Sequence, residues 1–319
     1  MSLKSIGQQE KIKLDAYDKK LLFCLMQNSR MRRNALAKTL RLSPQRVNYK
    51  IQRLEQEIIQ PTVIINYPLL HIPFYILLAQ DIVENDKQKL LNSPELFFLM
   101  QVIGRYQYVI AIITTDLQSF VEKYMGTVVF EVHQITSCIP DEYNPFRIAL
   151  PVPELKEDKP FVLDEIDYSL LEYLGNSPLD PFLEISNSLK MSRITVKQRI
   201  TCMLDANVIQ KFRYGINVFR LGFLLYVIKI EATPAAKKKL LPQLRADNYS
   251  GFIFETHTGF IMYYMPPSHN ELFLFTRKIR DIAQNANVEV IQNTEFFQVN
   301  TVPNKALAIM HERAITMRK

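Results

Sequence analysis

A stretch near the start of this chain returns 149 positions later, and that recurrence constrains the fold more than any single motif. Leu14-Asp15-Ala16-Tyr17-Asp18-Lys19-Lys20-Leu21-Leu22 is matched by Leu163-Asp164-Glu165-Ile166-Asp167-Tyr168-Ser169-Leu170-Leu171. The same offset carries Ser43 to Ser192, Val47 to Val196, Ile51 to Ile200 and Leu54 to Met203. Repetition over half of a 319-residue chain predicts a tandem duplication, in which each half folds the same way. Pro140, Pro145, Pro151, Pro153 and Pro160 punctuate the stretch between the halves and predict an extended linker there.

Each half opens with three short helices. Asp15 is an N-cap with Asp18 three places on, and Tyr17, Leu21, Leu22 and Leu25 are expected to form the buried stripe of the first helix. A helix of at most three turns follows, Asn34 to Leu40, with Leu36, Ala37 and Leu40 inward. Ser43-Pro44 then starts a third helix, because the Ser hydroxyl accepts an orphan N–H while Pro at the first helical position gives up none that was needed. Val47, Ile51 and Leu54 make its apolar stripe, which predicts Gln45, Arg46, Asn48, Tyr49, Lys50, Gln52 and Arg53 facing outward. Helix, turn and a polar last helix is the helix-turn-helix order, whose last helix fits the major groove of DNA.

Beyond these helices the two halves continue alike, through a short strand or wing and then the order β-α-β-β-α-β. In the first half the strands are expected at Phe74 to Ala79, Phe97 to Val102, Tyr108 to Thr114 and His133 to Cys138. In the second they are expected at Phe223 to Glu231, Phe252 to Thr256, Phe260 to Met265 and Val288 to Phe297. The predicted fold class is α+β, with two winged helix-turn-helix units and two ferredoxin-like βαββαβ domains. The expected segments are an arm and first winged unit at 1–66, a sheet domain at 67–140, a linker at 141–162, a second winged unit at 163–217, a second sheet domain at 218–303 and a tail at 304–319 that can be helical. Each sheet is expected to present an apolar face to the other, Tyr75, Leu77, Val109 and Ala111 from the first and Tyr226, Ile228, Ile261 and Tyr263 from the second. The result would be an intramolecular pseudo-dimer, open to further self-association.

Composition removes several function classes. Eight glycines provide no phosphate-cradling loop or dinucleotide fingerprint. Three cysteines without a CxxC pair predict neither a disulfide framework nor a zinc site, so no cofactor and no metal are expected. No signal-like or membrane-spanning apolar run is present, which predicts a cytoplasmic protein with no membrane partner. Glu255 and His257 lie two apart on an expected strand and would share a face, as an acid–base pair must. The net charge of +7 favours a polyanionic partner, and its distribution says more than its size. Residues 30 to 53 hold Arg30, Arg32, Arg33, Lys38, Arg41, Arg46, Lys50 and Arg53 with no Asp or Glu. The matching window 179 to 202 holds Lys190, Arg193, Lys197 and Arg199, opposed by Asp180 and Glu184. Unequal affinity of the two units for a phosphate backbone follows.

The Leu-Asp-x-x-Asp start, the Ser-headed third helix, the Leu-x-x-x-x-Val-Ile type of helix exit and the βαββαβ domain together resemble the Lrp/AsnC family of transcription regulators. The resemblance covers nearly the whole chain, twice. It implies a sequence-specific regulator that binds double-stranded DNA and is not an enzyme, with sheet domains that assemble and can sense an amino acid. Gln45, Arg46, Asn48, Tyr49, Lys50 and Arg53 are then expected at bases, and Arg30, Arg32, Arg33 and Arg41 at phosphates, with Ser43 heading the helix. Arg193, Thr195, Lys197, Gln198 and Arg199 are the second, weaker set. The family's Gly-x-x-Asp effector turn reads Gly104-Arg105-Tyr106-Gln107 here, which marks Gly104, Tyr106 and Gln107 as effector-binding candidates. The exit of the first reading helix is one residue shorter than that of the second, where Asn207 suits a left-handed cap. Siroheme decarboxylases are similar to Lrp/AsnC proteins in architecture and give the alternative, an enzyme. This chain has no Trp and no His-x-Tyr-x-Arg run of the kind those enzymes carry.

Overall fold

The structure, a computed structural model, describes residues 11–140, 142–150 and 156–316. The element order runs twice along the chain. The first half has helices α1 (Ala16–Gln27), α2 (Arg33–Leu40) and α3 (Pro44–Glu57), then strand β1 (Ile59–Ile65). It continues through β2 (Phe74–Ala79), α4 (Glu84–Leu91), β3 (Leu96–Ile103), β4 (Tyr108–Ile113), α5 (Leu117–Tyr124) and β5 (Phe130–Ile139). The second half has α6 (Glu165–Asn176), α7 (Phe182–Ser188), α8 (Arg193–Asp205) and β6 (Ile209–Ile216). Then come β7 (Tyr226–Glu231), α9 (Pro234–Arg245), β8 (Ser250–Thr256), β9 (Gly259–Tyr264), α10 (His269–Ile282) and β10 (Asn287–Val299), and the tail is a helix, α11 (Asn304–Thr316). No helix of the described residues is long and apolar enough to cross a membrane.

Two compact units arise, and each takes equivalent parts of both halves. One contains Asn66–Tyr143 with residues 223–316, and the other contains residues 11–65 with Asn144–Gly222. In the latter, β1 and β6 pair antiparallel from Ile59↔Ile216 to Ile65↔Ile209, so the two winged units share one two-stranded sheet. The core of the first winged unit joins Leu21, Leu22 and Leu25 of α1 to Leu36 and Leu40 of α2 and to Val47, Ile51 and Leu54 of α3. Tyr214 from β6 packs into the same core.

The other unit is a closed eight-stranded barrel in the order β10-β3-β4-β2-β5-β8-β9-β7. Within each half the strands follow the ferredoxin-like order, and the edge strands then find partners in the other half, β5 on β8 and β10 on β3. On the outer face, Leu77, Leu99, Ile110 and Ile112 pack against Leu90 of α4 and Phe120 and Tyr124 of α5. The interior is crossed by aromatic contacts between halves, with ring centroids 5.7 Å apart for Phe74 and Phe254 and 5.8 Å for Phe98 and Tyr263. Gly259 is required where β9 begins, since a Cβ there would lie 1.8 Å from the carbonyl oxygen of Ile230.

Two sequence expectations are corrected here. The faces were mixed: the register pairs Ile76 with Ala111 and Leu77 with Ile110, so Tyr75 and Leu77 point to the helices while Val109 and Ala111 point into the barrel. Likewise Ile228 pairs with Met262 and Lys229 with Ile261, which separates Tyr226 and Ile228 from Ile261 and Tyr263. These strands are buried on both sides, so their continuous apolar runs carry no alternation from which a face can be read. Glu255 and His257 do not form a pair. Glu255 holds Lys237 at 2.7 Å, and His257 is exposed beyond the end of β8.

Because β1–β6, β5–β8 and β3–β10 are all pairings between halves, a chain cleaved between residues 151 and 160 should remain one particle. Size-exclusion chromatography of the nicked protein at micromolar concentration should give a single peak containing both fragments, eluting where the intact chain does.

Candidate nucleic-acid interface

The geometry of α3 follows from its ends. Ser43 caps the helix, accepting the N–H of Arg46 at 3.3 Å, with Pro44 at the first helical position. The connection from α2 is made by Arg41 in the left-handed region, at φ 55°, and Lys190 does the same before α8 at φ 53°. Only a few degrees of backbone freedom are open to a non-glycine residue there, so this turn fixes the angle between the two helices. The exit of α8 uses Asn207 at φ 62° as expected, whereas α3 ends without a left-handed residue, at Ile58 with φ −142°.

Five expected contact residues are not turned outward. Lys50 is buried and donates to Asp15 at 2.7 Å and to Asp18 at 2.8 Å, while Arg53 donates to Asp18 at 2.7 Å. The same two carboxylates form the capping box of α1. Burial works against the charge on Lys50, but both carboxylates outweigh it and raise its pKa. Burial likewise opposes the Asp15 charge, and the Lys50 ammonium with the Asp18 N–H holds that carboxyl at about 2. In the second half Arg199 repeats the arrangement, 2.7 Å from Asp164 and 3.2 Å from Asp167. Arg30, expected at a phosphate, is instead half-buried and bonded to the other half. Its Nε donates to the Pro178 carbonyl at 2.8 Å and its Nη2 to that of Asp180 at 3.0 Å, with the guanidinium 4.5 Å from the Phe212 ring centroid. Burial lowers it to about 10, still a cation at neutral pH. Thr195 is half-buried, its hydroxyl 2.8 Å from that of the capping Ser192.

Over its first two and a half turns the exposed polar side chains of α3 are therefore Gln45, Arg46, Asn48, Tyr49 and Gln52, with Glu55, Gln56 and Glu57 exposed at its end, and Tyr49 is 67% exposed. Tyr17, expected in the core, is 40% exposed with the Arg46 guanidinium 5.9 Å from its ring. Arg32, Lys38 and Arg41 are exposed around this face, and Arg33 is half-buried. On α8 the exposed residues are Arg193, Ile194, Lys197, Gln198, Thr201, Cys202 and Asp205, and Lys190 before it is exposed too. The disparity of charge thus narrows: Arg32, Lys38, Arg41 and Arg46 are exposed in one window, against Lys190, Arg193 and Lys197 in the other. Ile194 was missed in the sequence, although it lies off the Val196, Ile200 and Met203 stripe and so had to be exposed.

The candidate effector turn lies at one end of the barrel. Gly104 has φ 139°, Tyr106 is buried with its hydroxyl donating to Glu131, and Gln107 is exposed while its backbone N–H reaches the Ala79 carbonyl. Glu131 also accepts from the buried Lys229 at 2.7 Å and lies 3.2 Å from the exposed Arg105. Lys229 is further held by Glu231 at 3.1 Å. Burial pushes the Glu131 carboxyl up, but Lys229, Tyr106 and Arg105 together bring it down to about 2. This acid, the charge that Gln107 cannot supply, comes from β5 and so was hidden from a search of the turn alone. Among the described residues no group of His, Cys, Asp and Glu is arranged to hold a metal.

Residues 14–57, which are α1 to α3, match the winged helix-turn-helix DNA-binding family. Over 83 residues, 26% of its length, the chain is 32% identical to uncharacterized HTH-type transcriptional regulators of Pyrococcus horikoshii and Pyrococcus abyssi. The chain spans about half the length of these curated relatives, 52% in each case. Among solved structures, the siroheme decarboxylase NirDL superposes with a TM-score of 0.55 over 96% of this chain and all of its own, at 10% sequence identity. That likeness is one of fold. The leucine response regulatory protein LrpA of Mycobacterium tuberculosis aligns with 41% of this chain and 94% of its own, with a TM-score of 0.37 and 20% identity.

Removing one side of the buried ion cluster leaves a carboxylate in the core. Lys50→Ala should therefore cost about 3 kcal/mol of stability, whereas Asn48→Ala on the exposed face should cost within about 0.5 kcal/mol. Urea denaturation of both variants measures the difference. Glu131 has a folded-state pKa below its usual 4.5, so its contribution is full above about pH 4.5 and is lost as pH falls toward 2. Thermal melts between pH 5 and 2.5 should show a steeper loss for the wild type than for Glu131→Gln, which is less stable at pH 5 but has no such group to titrate.

Proposed function

We propose that the chain is a sequence-specific, double-stranded-DNA-binding transcription regulator of the Lrp/AsnC type, in which one duplicated chain does the work of a dimer. The observation that supports this most directly is the outward face of α3, Gln45, Arg46, Asn48, Tyr49 and Gln52, on a segment matched to DNA-binding winged helices. Asn and Gln can pair with the adenine edge and Arg with guanine O6 and N7. Arg32, Lys38 and Arg41 lie where they can meet phosphates, and Arg33, half-buried, can follow with a change of rotamer. Arg30, Lys50, Arg53 and Arg199 act differently in this proposal: they hold the readers in place. The pairing of β1 with β6 joins the two winged units, which favours half-sites about 10 bp apart or a multiple of it.

The barrel serves as the assembly module. Its turn at Gly104 to Gln107 would receive a small effector, and the Arg105–Glu131 pair there offers one charge of each sign, which suits a zwitterion such as an amino acid. Selection of bound duplexes from a random pool tests the reading, and the selected site then allows a salt titration. With four to six phosphates neutralised, log K should fall against log salt with a slope of roughly −4 to −5. Arg46→Ala should cost about 1–3 kcal/mol and relax the preference at one position, while Arg32→Ala should weaken all sequences alike. A slope near zero, or no enrichment from the pool, would overturn the proposal.

A further inference from the structure

Among the described residues, the most exposed large apolar side chain is not on the barrel. It is Ile194, 79% exposed, at the second position of α8 directly after the capping Ser192 and Arg193. Nothing in the fold of α8 requires it, since Val196, Ile200 and Met203 already form the buried stripe. Ile194, Lys197, Gln198 and Thr201 recur at i, i+3, i+4 and i+7, so one face of the helix carries an apolar tip beside three hydrogen-bonding side chains. The counterpart face on α3, at the same offset, is Gln45, Asn48, Tyr49 and Gln52, which is hydrogen-bonding throughout.

We propose that Ile194 is a specificity-determining residue of the second reader and that it recognises the C5-methyl group of a thymine in the major groove. This rests on the DNA-binding reading above and extends it to a base. The N-terminal turn of the last helix is the part of a helix-turn-helix that meets base edges. The thymine methyl is the one apolar feature of the major-groove edge, and an apolar side chain is what distinguishes it from cytosine. An exposed isoleucine is a cost in free protein that burial against a methyl group relieves. Lys197 and Gln198, one turn on, would fix the adjoining bases. The two half-sites then differ in kind, the one read by α3 through amide and guanidinium donors and the one read by α8 through a methyl contact with donors beside it.

Uracil lacks only that methyl group, so the experiment uses the full chain and its selected duplex, with each thymine replaced in turn by deoxyuridine. At one position the replacement should weaken wild-type binding about 3- to 5-fold, the value of one buried methyl group. Ile194→Ala should bind the unmodified duplex more weakly by a similar factor and lose the sensitivity at that position alone. Gln45→Ala, on the other reader, should keep it. Wild-type protein that binds its site tightly but shows no deoxyuridine effect that Ile194→Ala removes would overturn the proposal and leave DNA binding intact. A chain that selects no duplex at all would overturn both.

Discussion

An unpaired strand edge is the liability around which this protein is arranged. A βαββαβ sheet has two of them, and each presents a row of unsatisfied N–H and C=O groups beside an apolar face. Here the edges of one half are completed by the edges of the other, β5 by β8 and β3 by β10, and closure into a barrel leaves none exposed. The same solution is applied to the winged units, where β1 and β6 satisfy one another. Backbone hydrogen bonds and burial thus enforce the same partner, and neither half has a self-sufficient sheet. Aromatic rings from both halves, Phe74 on Phe254 and Phe98 on Tyr263, then fill the space that closure creates.

Charge is spent in two ways in the winged units. Lys50, Arg53 and Arg199 lie on the reading helices, yet their heads are anchored to the aspartates that begin the first helix of each unit. An acid that caps one helix thereby orients another, and the arrangement is the same in both halves. Arg30 is used similarly, stacked on Phe212 and bonded to two carbonyls of the opposite half. Those cations are engaged within the fold, and Arg32, Lys38, Arg41 and Arg46 are the exposed ones of residues 30 to 53.

Much of this was legible beforehand because the signals were local. The cap at Ser43, the N-cap at Asp15 with Asp18 three places on and the left-handed Asn207 are each set by two or three neighbouring residues, and the structure has them. The element order followed from apolar runs and from the repeat. What was not legible depends on distant partners. Lys50 falls on the outward side of its helix by periodicity, but a long side chain can fold back to a carboxylate 35 positions away in sequence, and it does. Leu77 and Val109 could not be assigned to faces because both faces of their strands are buried. Glu131 joins the Tyr106 turn only through strand pairing, which no window of the sequence contains.

The register of the barrel places Leu78 opposite Glu131 in one half and Lys229 opposite Glu289 in the other, so leucine and lysine occupy corresponding points of the wall. An assembly of identical subunits must make every change twice, and a lysine in the wall would arrive with its image. Two positively charged ammonium groups would then share one small interior. Covalent union of the halves lifts that symmetry requirement: one half can keep an inert hydrocarbon while the other acquires a charge, and the carboxylate that neutralises Lys229 can be drawn from the half that did not change. One chain that holds both halves is therefore open to chemistry that two-fold-related partners are denied, namely a lysine gathered by Glu131 from one half and Glu231 from its own with no symmetry copy of the cluster.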